Sequence, residues 1–297
     1  MISVTTGIRA EEVRLQGQHV LFVEGRDGNA VDPKVLNALF SDGLRIEPLG
    51  SSFSVRSVAE ALHPHHPTYY FLIDRDHYEH DFVERCWTHF PDPGTHNLLV
   101  WRRREIENYF LEPQYLVRSK YCRVSEERLG ERVLHFANQR LFLDAANHVV
   151  ISIREELKRN WIEKFSNPAD FPTKEGALLK LKAANEFDQH RTTVHNKVSS
   201  DEVERRFAEF VDRMTGGPEG LEFGSGDWLH LIQGKKVLGQ VVNSECFQVA
   251  TTDGKALMGR EKLNEVVKDL LQKDEAVQPQ DFMALKELID KRVNGPS

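Results

Sequence analysis

Two aspartates one residue apart, Asp74 and Asp76, close the apolar run 69–73 in YYFLIDRD. A short apolar run ending in turn formers suits a strand buried on both faces. A strand sends residues i and i+2 to one side, so the pattern predicts that Asp74 and Asp76 project together, with Arg75 facing away and outside the chemistry. Carboxylates that close either pair with cations or raise one another's pKa, and a divalent metal is the common partner of oxygen-only ligands. A lone DxD is more often a polar turn, so its weight depends on what else the chain brings to it.

Glu24 is the next candidate. It follows the apolar run HVLFV (19–23) and precedes Gly25, as a metal ligand or general base would at a strand end, or as any acid would in a turn. The glycine lets the backbone bend sharply enough for a phosphate to approach. The segment WRRREIENYFLEP (101–113) leaves a further apolar run, NLLVW, and supplies both charges: Arg102, Arg103 and Arg104 for phosphodiester oxygens, Glu105 and Glu107 for one more carboxylate. Taken alone, a charge run is usually a solvated face. His63, His65, His66, His77 and His80 raise the question of zinc, but their spacing matches no zinc pattern and no cysteine accompanies them. The run Gly234-Lys235-Lys236 lacks the leading glycine of a P-loop, and no GxSxG or Cys/His nucleophile pattern occurs.

These residues need a scaffold that gathers strand ends. Strands are expected at 19–23, 45–50, 69–73 and 97–101. Helices are expected from Asp32-Pro33 (a cap followed by a first-turn proline), over 55–62 and over 81–90. Strands alternating with helices of this length imply an α/β fold with a parallel sheet, whose sites form beyond the carboxyl ends of the strands. Glu24, the Asp74/Asp76 pair and 102–105 all fall just past such ends. Beyond about residue 110 the pattern turns helical: 127–165 with a break near Ala145, 177–191, 201–214, 263–272 and 281–293, with WLHLI as a short strand and GKKVLGQVV as a helix.

The 297 residues, 40% apolar and 29% charged, fit a soluble globular chain. No window is apolar enough to span a membrane, and the first residues lack a signal-peptide core. Cys86, Cys122 and Cys246, odd in number and isolated, read as reduced thiols, so a cytoplasmic location is expected. A net charge of −7 argues against a protein that coats nucleic acid, but is compatible with a nuclease whose basic rim is local.

An apolar strand ending in Glu24-Gly25, then about fifty residues on an apolar strand ending in Asp74-x-Asp76, resembles the Toprim domain of topoisomerases, primases and overcoming-lysogenization-defect (OLD) nucleases. FVEGRDGNAVD, LIDRDHY, WRRREIENYFLEP and IQGKKVL, in that order, narrow the resemblance to OLD-like Toprim nucleases, in particular the effectors of PARIS anti-phage systems. The resemblance implies a Toprim-type parallel sheet flanked by helices over 1–115 and a mainly helical region over 116–297, with 226–243 returning to the active site. It implies a metal-dependent endonuclease in which Glu24, Asp74 and Asp76 hold Mg2+ or Mn2+. Glu107, or alternatively Glu105, adds an acid, and Lys235 offsets transition-state charge. The second acid of the first helix turn is displaced: Asp27 is present with Gly28 and Asn29 beside it, which leaves a second metal open. The implied biology is a toxic effector held by an ABC-type, AriA-like ATPase subunit, released on infection as a homodimer to cleave RNA, with tRNA the favoured substrate. An OLD-type DNA-nicking enzyme and a non-catalytic Toprim-fold binding subunit are the alternatives.

Overall fold

The computed structural model describes residues 19–25, 31–40, 43–63, 65–76, 78–90, 97–159, 167, 169, 172–217, 219–251 and 253–293. Four strands, β1 (His19–Val23), β2 (Leu44–Pro48), β3 (Tyr69–Ile73) and β4 (Leu98–Val100), form one parallel sheet in the order β2-β1-β3-β4. The register sets Val23 against Pro48 on one side and against Leu72 on the other, so β1 and β3 end level with each other. Val20 through Val23 and the whole of β3 are buried, as expected of strands covered on both faces. Inside the sheet Phe22 stacks on Phe71 at 5.3 Å and meets Tyr69 edge-on at 5.3 Å.

The crossovers are α1 (Val31–Leu39), α2 (Ser52–Leu62) and α3 (His80–Thr88). The chain steps from β1 to β2 in one direction, then passes back over β1 to β3. That reversal makes the adjacent ends of β1 and β3 a topological switch point, where open α/β sheets form their crevice. Reciprocal bonds between Gly25 and Gly50 (2.8 and 2.7 Å) tie the exits of β1 and β2 together. Both glycines need left-handed backbone for this, with φ of 128° and 96°.

After β4 come a 3-10 turn (Ile106–Leu111), α4 (Pro113–Leu116), α5 (Glu126–Asn138), α6 (Leu141–Arg159), α7 (Lys174–Ala183), α8 (Asn185–Lys197), α9 (Ser200–Thr215), α10 (Trp228–Leu231), α11 (Gly234–Asn243), α12 (Gly259–Leu271) and α13 (Gln280–Val293). Two compact units result: Met1–Arg140 with Asp227–Ser297, and Leu141–Gly226. The division therefore falls at 140 and 227, not at the expected 115, because α10 to α13 pack on α1, on α5 and on the segment that follows β4. In this unit Phe282 of α13 is fully buried, with ring centroids 5.8 Å from Trp101, 5.1 Å from Tyr109 and 5.9 Å from Phe110. The inserted unit is helical. In it α6 packs on α9, where the buried Arg206 donates to Glu156 (2.8 and 3.0 Å) and to Glu202 (2.7 Å), and α9 ends on Gly216 in the left-handed conformation.

Other expectations shift locally. WLHLI is helical, with α10 over its first four residues. The helix break lies at Gln139 and Arg140 rather than near Ala145, and Ala184 divides the expected 177–191 helix. Among the described residues no helix is long and apolar enough to cross a membrane. The aromatic cluster yields a test of the assembly: Phe282→Ala should cost about 3–5 kcal/mol in urea unfolding. A loss below about 1 kcal/mol would mean that α13 is not part of this core.

Candidate active site at the ends of β1 and β3

Glu24 leaves β1 directly beside Asp74, which leaves β3. The backbone N–H of Asp74 donates to Glu24 Oε1 at 2.9 Å, and the Ser52 N–H at the start of α2 also meets the Glu24 carboxyl. Burial pushes the Glu24 pKa up to about 7, against these two hydrogen bonds and with help from the charges of Asp76 and Asp32. Asp74 is raised well above the usual carboxylate range, first by burial and then by Asp32, Glu24, Glu107 and Glu105. Its Oδ1 is buried and accepts no hydrogen bond within the described structure. A buried acceptor left unpaired costs about 1–3 kcal/mol.

Asp76 does not follow the two-residue alternation. The strand stops at Ile73, and Asp76 sits at φ 44°, in the left-handed region that few side chains adopt. Arg75, expected to face away, is 2% exposed and holds this loop in shape. It donates from Nη1 to Arg102 O at 2.6 Å and from Nε to Tyr78 O at 3.2 Å, while its backbone N–H donates to Arg104 O at 3.0 Å. Arg75 thus clamps the exit of β3 to the exit of β4.

Glu105 and Glu107 flank the start of the 3-10 turn but differ in their partners. Glu105 is its N-cap in a reciprocal box with Asn108, and its Oε2 accepts the Lys235 N–H at 2.8 Å, so it also caps α11. Burial raises Glu105, and the Lys235 N–H, Arg104 and the Lys235 charge oppose that rise. Glu107, 4% exposed, is pushed by burial and by Asp32 and Glu105 up to about 8. Lys235 itself is exposed, and its charge stabilises the anions of Asp32, Glu105 and Glu107.

The sequence reading missed Asp32. Read as a helix cap, it stands in the first turn of α1, where burial and the charge of Glu105 raise it to about 6 against Lys235. Asp32 is thus an acid on the first helix turn whose charge couples to those of the neighbouring carboxyl groups. Asp27 lies outside the described residues.

The arginine run is engaged internally. Arg102 forks onto Glu84 (2.7 and 3.0 Å), reaches Asp281 at 2.8 Å and lies 4.3 Å from the Trp87 ring centroid. Arg103 pairs with Glu112 and donates to Asn108 O at 2.9 Å, and the buried Arg104 donates to Leu231 O at 2.6 Å. These guanidinium contacts fasten α3, α10 and α13 to the segment after β4. A substrate phosphate would have to displace them.

Asn108 and Gly234 complete the support. Asn108 is fully buried and donates to Leu229 O (2.9 Å) and Ile232 O (3.0 Å), while its Oδ1 accepts the Glu105 N–H (3.2 Å). Gly234 packs so tightly here that a Cβ would collide with the Asn108 side chain and lie 2.8 Å from its backbone nitrogen. Among the described residues no three His, Cys, Asp or Glu side chains are placed to hold a metal ion. The acids are thus close enough to act on one another's charge without forming a ready-made cage.

No protein-family profile matches the chain, and no curated protein matches it.

Two outcomes follow from this geometry. Gly234→Ala should lower stability by roughly 1–3 kcal/mol through overpacking, although alanine alone favours a helix by up to about 1 kcal/mol. An unchanged melting temperature would mean that the Asn108 contact is not tight. Glu107, raised from 4.5 to about 8, stabilises the fold while protonated; that contribution is complete below about pH 4.5 and is lost as pH rises through about 8. Glu107→Gln should therefore match the wild type near pH 4.5 and melt progressively higher than it toward pH 8.5 in chelator. Parallel melting curves would reject the raised pKa.

Proposed function

We propose that the chain is a metal-dependent endonuclease of the Toprim type. The observation that carries this reading is the gathering of Glu24, Asp32, Asp74, Asp76 and Glu107 at the switch point of a parallel sheet, with burial and mutual charge favouring protons on Glu24, Asp32, Asp74 and Glu107. Folding stability gives no reason to collect desolvated like charges, whereas a bound cation would relieve them. The donor set fits a hard divalent ion such as Mg2+ or Mn2+ in its chemistry: all ligands are oxygens, and Asp74 Oδ1 is buried without a partner. The fit is one of charge and ligand type.

Glu24, Asp74 and Asp76 would hold the ion, with Asp32 and Glu107 next to them. A divalent ion held there would supply polarisation of a phosphoryl oxygen, a more acidic water and stabilisation of the leaving oxygen. Glu24, held in place by the Asp74 and Ser52 N–H groups, would serve as a ligand of the ion and is also the candidate general base. Lys235, whose charge acts on Asp32, Glu105 and Glu107, would offset negative charge on the pentacovalent phosphorus, while Glu105 keeps the start of α11 in position. Arg102, Arg103 and Arg104 serve the scaffold in this reading.

The motif likeness to AriB, the Toprim effector of PARIS defence, extends the proposal. The substrate is RNA, with tRNA favoured; an AriA-like ABC-type ATPase holds the chain inactive, and the released form is a homodimer in the cytoplasm. Incubating the purified chain, free of partner, with total tRNA and with supercoiled plasmid in Mg2+ or Mn2+ tests this. Discrete tRNA fragments are expected, with cleavage by Glu24→Ala down roughly 10²-fold or more, the span of a lost general acid–base group. Nicked plasmid with intact tRNA would identify a DNA enzyme. Absence of both cleavage and metal-induced thermal stabilisation would leave a non-catalytic binding subunit.

A further inference from the structure

Beside the carboxyl cluster, Arg56, Tyr78, Phe82 and Arg85 stack in a column. Arg56 lies on α2 one turn beyond Ser52, whose N–H meets Glu24, and residues four apart share a helix face. Its Nη1 donates to the Tyr78 hydroxyl oxygen at 2.7 Å, and its guanidinium carbon is 5.7 Å from the Tyr78 ring centroid. Tyr78 stands two residues after Asp76 and is fixed by Arg75 through two bonds, Tyr78 N–H to Arg75 O (2.8 Å) and Arg75 Nε to Tyr78 O (3.2 Å). The charges of Asp76 and Glu24 reach its hydroxyl. The Tyr78 ring stacks on Phe82 at 5.1 Å and 19°, and the Arg85 guanidinium carbon is 6.0 Å from the Phe82 centroid.

Both guanidiniums are exposed, and among the described residues neither has a carboxylate partner. Glu60 is four residues from Arg56 on α2 and Asp81 is four from Arg85 on α3, yet neither pair closes. These arginines thus differ from Arg102, Arg103 and Arg104, whose donors are engaged internally, and from a freely solvated face, since aromatic rings hold them in place. A row one side chain wide, on a chain of net charge −7, matches a short stretch of one phosphodiester strand better than the broad face of a duplex.

We infer that the Arg56–Tyr78–Phe82–Arg85 column is a track for a single polynucleotide strand, in which Arg56 and Arg85 each hold a backbone phosphate and lead the strand across Asp74 and Asp76. This rests on reading the carboxyl cluster as a phosphodiesterase centre. Tyr78 acts as a positioning residue through Arg56, and Phe82 fixes the spacing between the two cations.

The test is fluorescence anisotropy in EDTA, where binding is read without cleavage, using a fluorescein-labelled single-stranded RNA 12-mer, the same sequence as DNA, and a duplex. Arg56→Gln and Arg85→Gln should each weaken single-strand binding several-fold and reduce the slope of log K against log salt by about 0.7, the value for one lost phosphate contact on a single strand. The double variant should lose about twice that, and Tyr78→Phe should weaken binding while Arg56→Lys restores part of the Arg56→Gln loss. Comparable RNA and DNA binding supports the track, because phosphates alone are read. Unchanged affinity and salt slope in the double variant, with unaltered thermal melting, would overturn it, as would stronger binding of the duplex. Glu24→Ala should bind like the wild type while failing to cleave, so a failed track and a failed nuclease reading give different results.

Discussion

Mutual repulsion among carboxyl groups at the exits of β1 and β3 is the constraint on which the rest of this molecule depends. Two unit charges 4 Å apart cost about 1 kcal/mol in water and about 4 kcal/mol at the effective dielectric of a protein surface. The acids cannot drift apart, because parallel register fixes the ends of β1 and β3 and the Asp74 N–H ties the second to Glu24. The Gly25–Gly50 bridge and the Arg75 clamp hold the flanking exits. Protonation remains as the outlet, and the raised carboxyl pKa values express burial first and this repulsion after it.

The strands were readable because an apolar run buried on both faces leaves a compositional mark that does not depend on its neighbours. Glu24 and Asp74 were readable for the same reason, as the first acids after such runs. Asp76 shared the motif but not the assumed geometry: alternation holds only while the chain is extended, and the strand ends at Ile73. Asp32 was hidden by a second sound reading, since an aspartate before proline at a helix start is explained fully by capping. The arginine run shows the opposite failure. Sequence gives the charge of Arg102, Arg103 and Arg104, but the carboxylates and carbonyls that engage them come from residues as distant as Leu231 and Asp281. Gly234 gave no signal either, because its need for space arises only when Asn108 arrives from another part of the chain.

That meeting of Asn108 with Gly234 joins two segments that look unrelated in sequence. The first turn of α11 has N–H groups that need acceptors, and Glu105 supplies one from a residue 130 positions earlier. An acid beside the cluster is thereby committed to structure, which separates its role from that of Glu107, two residues further on. The two segments meet in this physical form: a helix start held by the Glu105 carboxylate and by Asn108, which bonds the carbonyls of Leu229 and Ile232.

The interrupted course of the sheet unit bears on the order of events at the ribosome. Synthesis runs from the N-terminus at about 5–20 residues per second, and domains tend to fold as they emerge. The strands and their acids are made first, then the whole inserted helical unit Leu141–Gly226, and only afterwards the segment that carries Leu229, Ile232 and Lys235. A nascent chain can therefore display the carboxyl groups without the contacts that set Glu105 and Asn108 in place. The charge centre is translated before the segments that complete its surroundings.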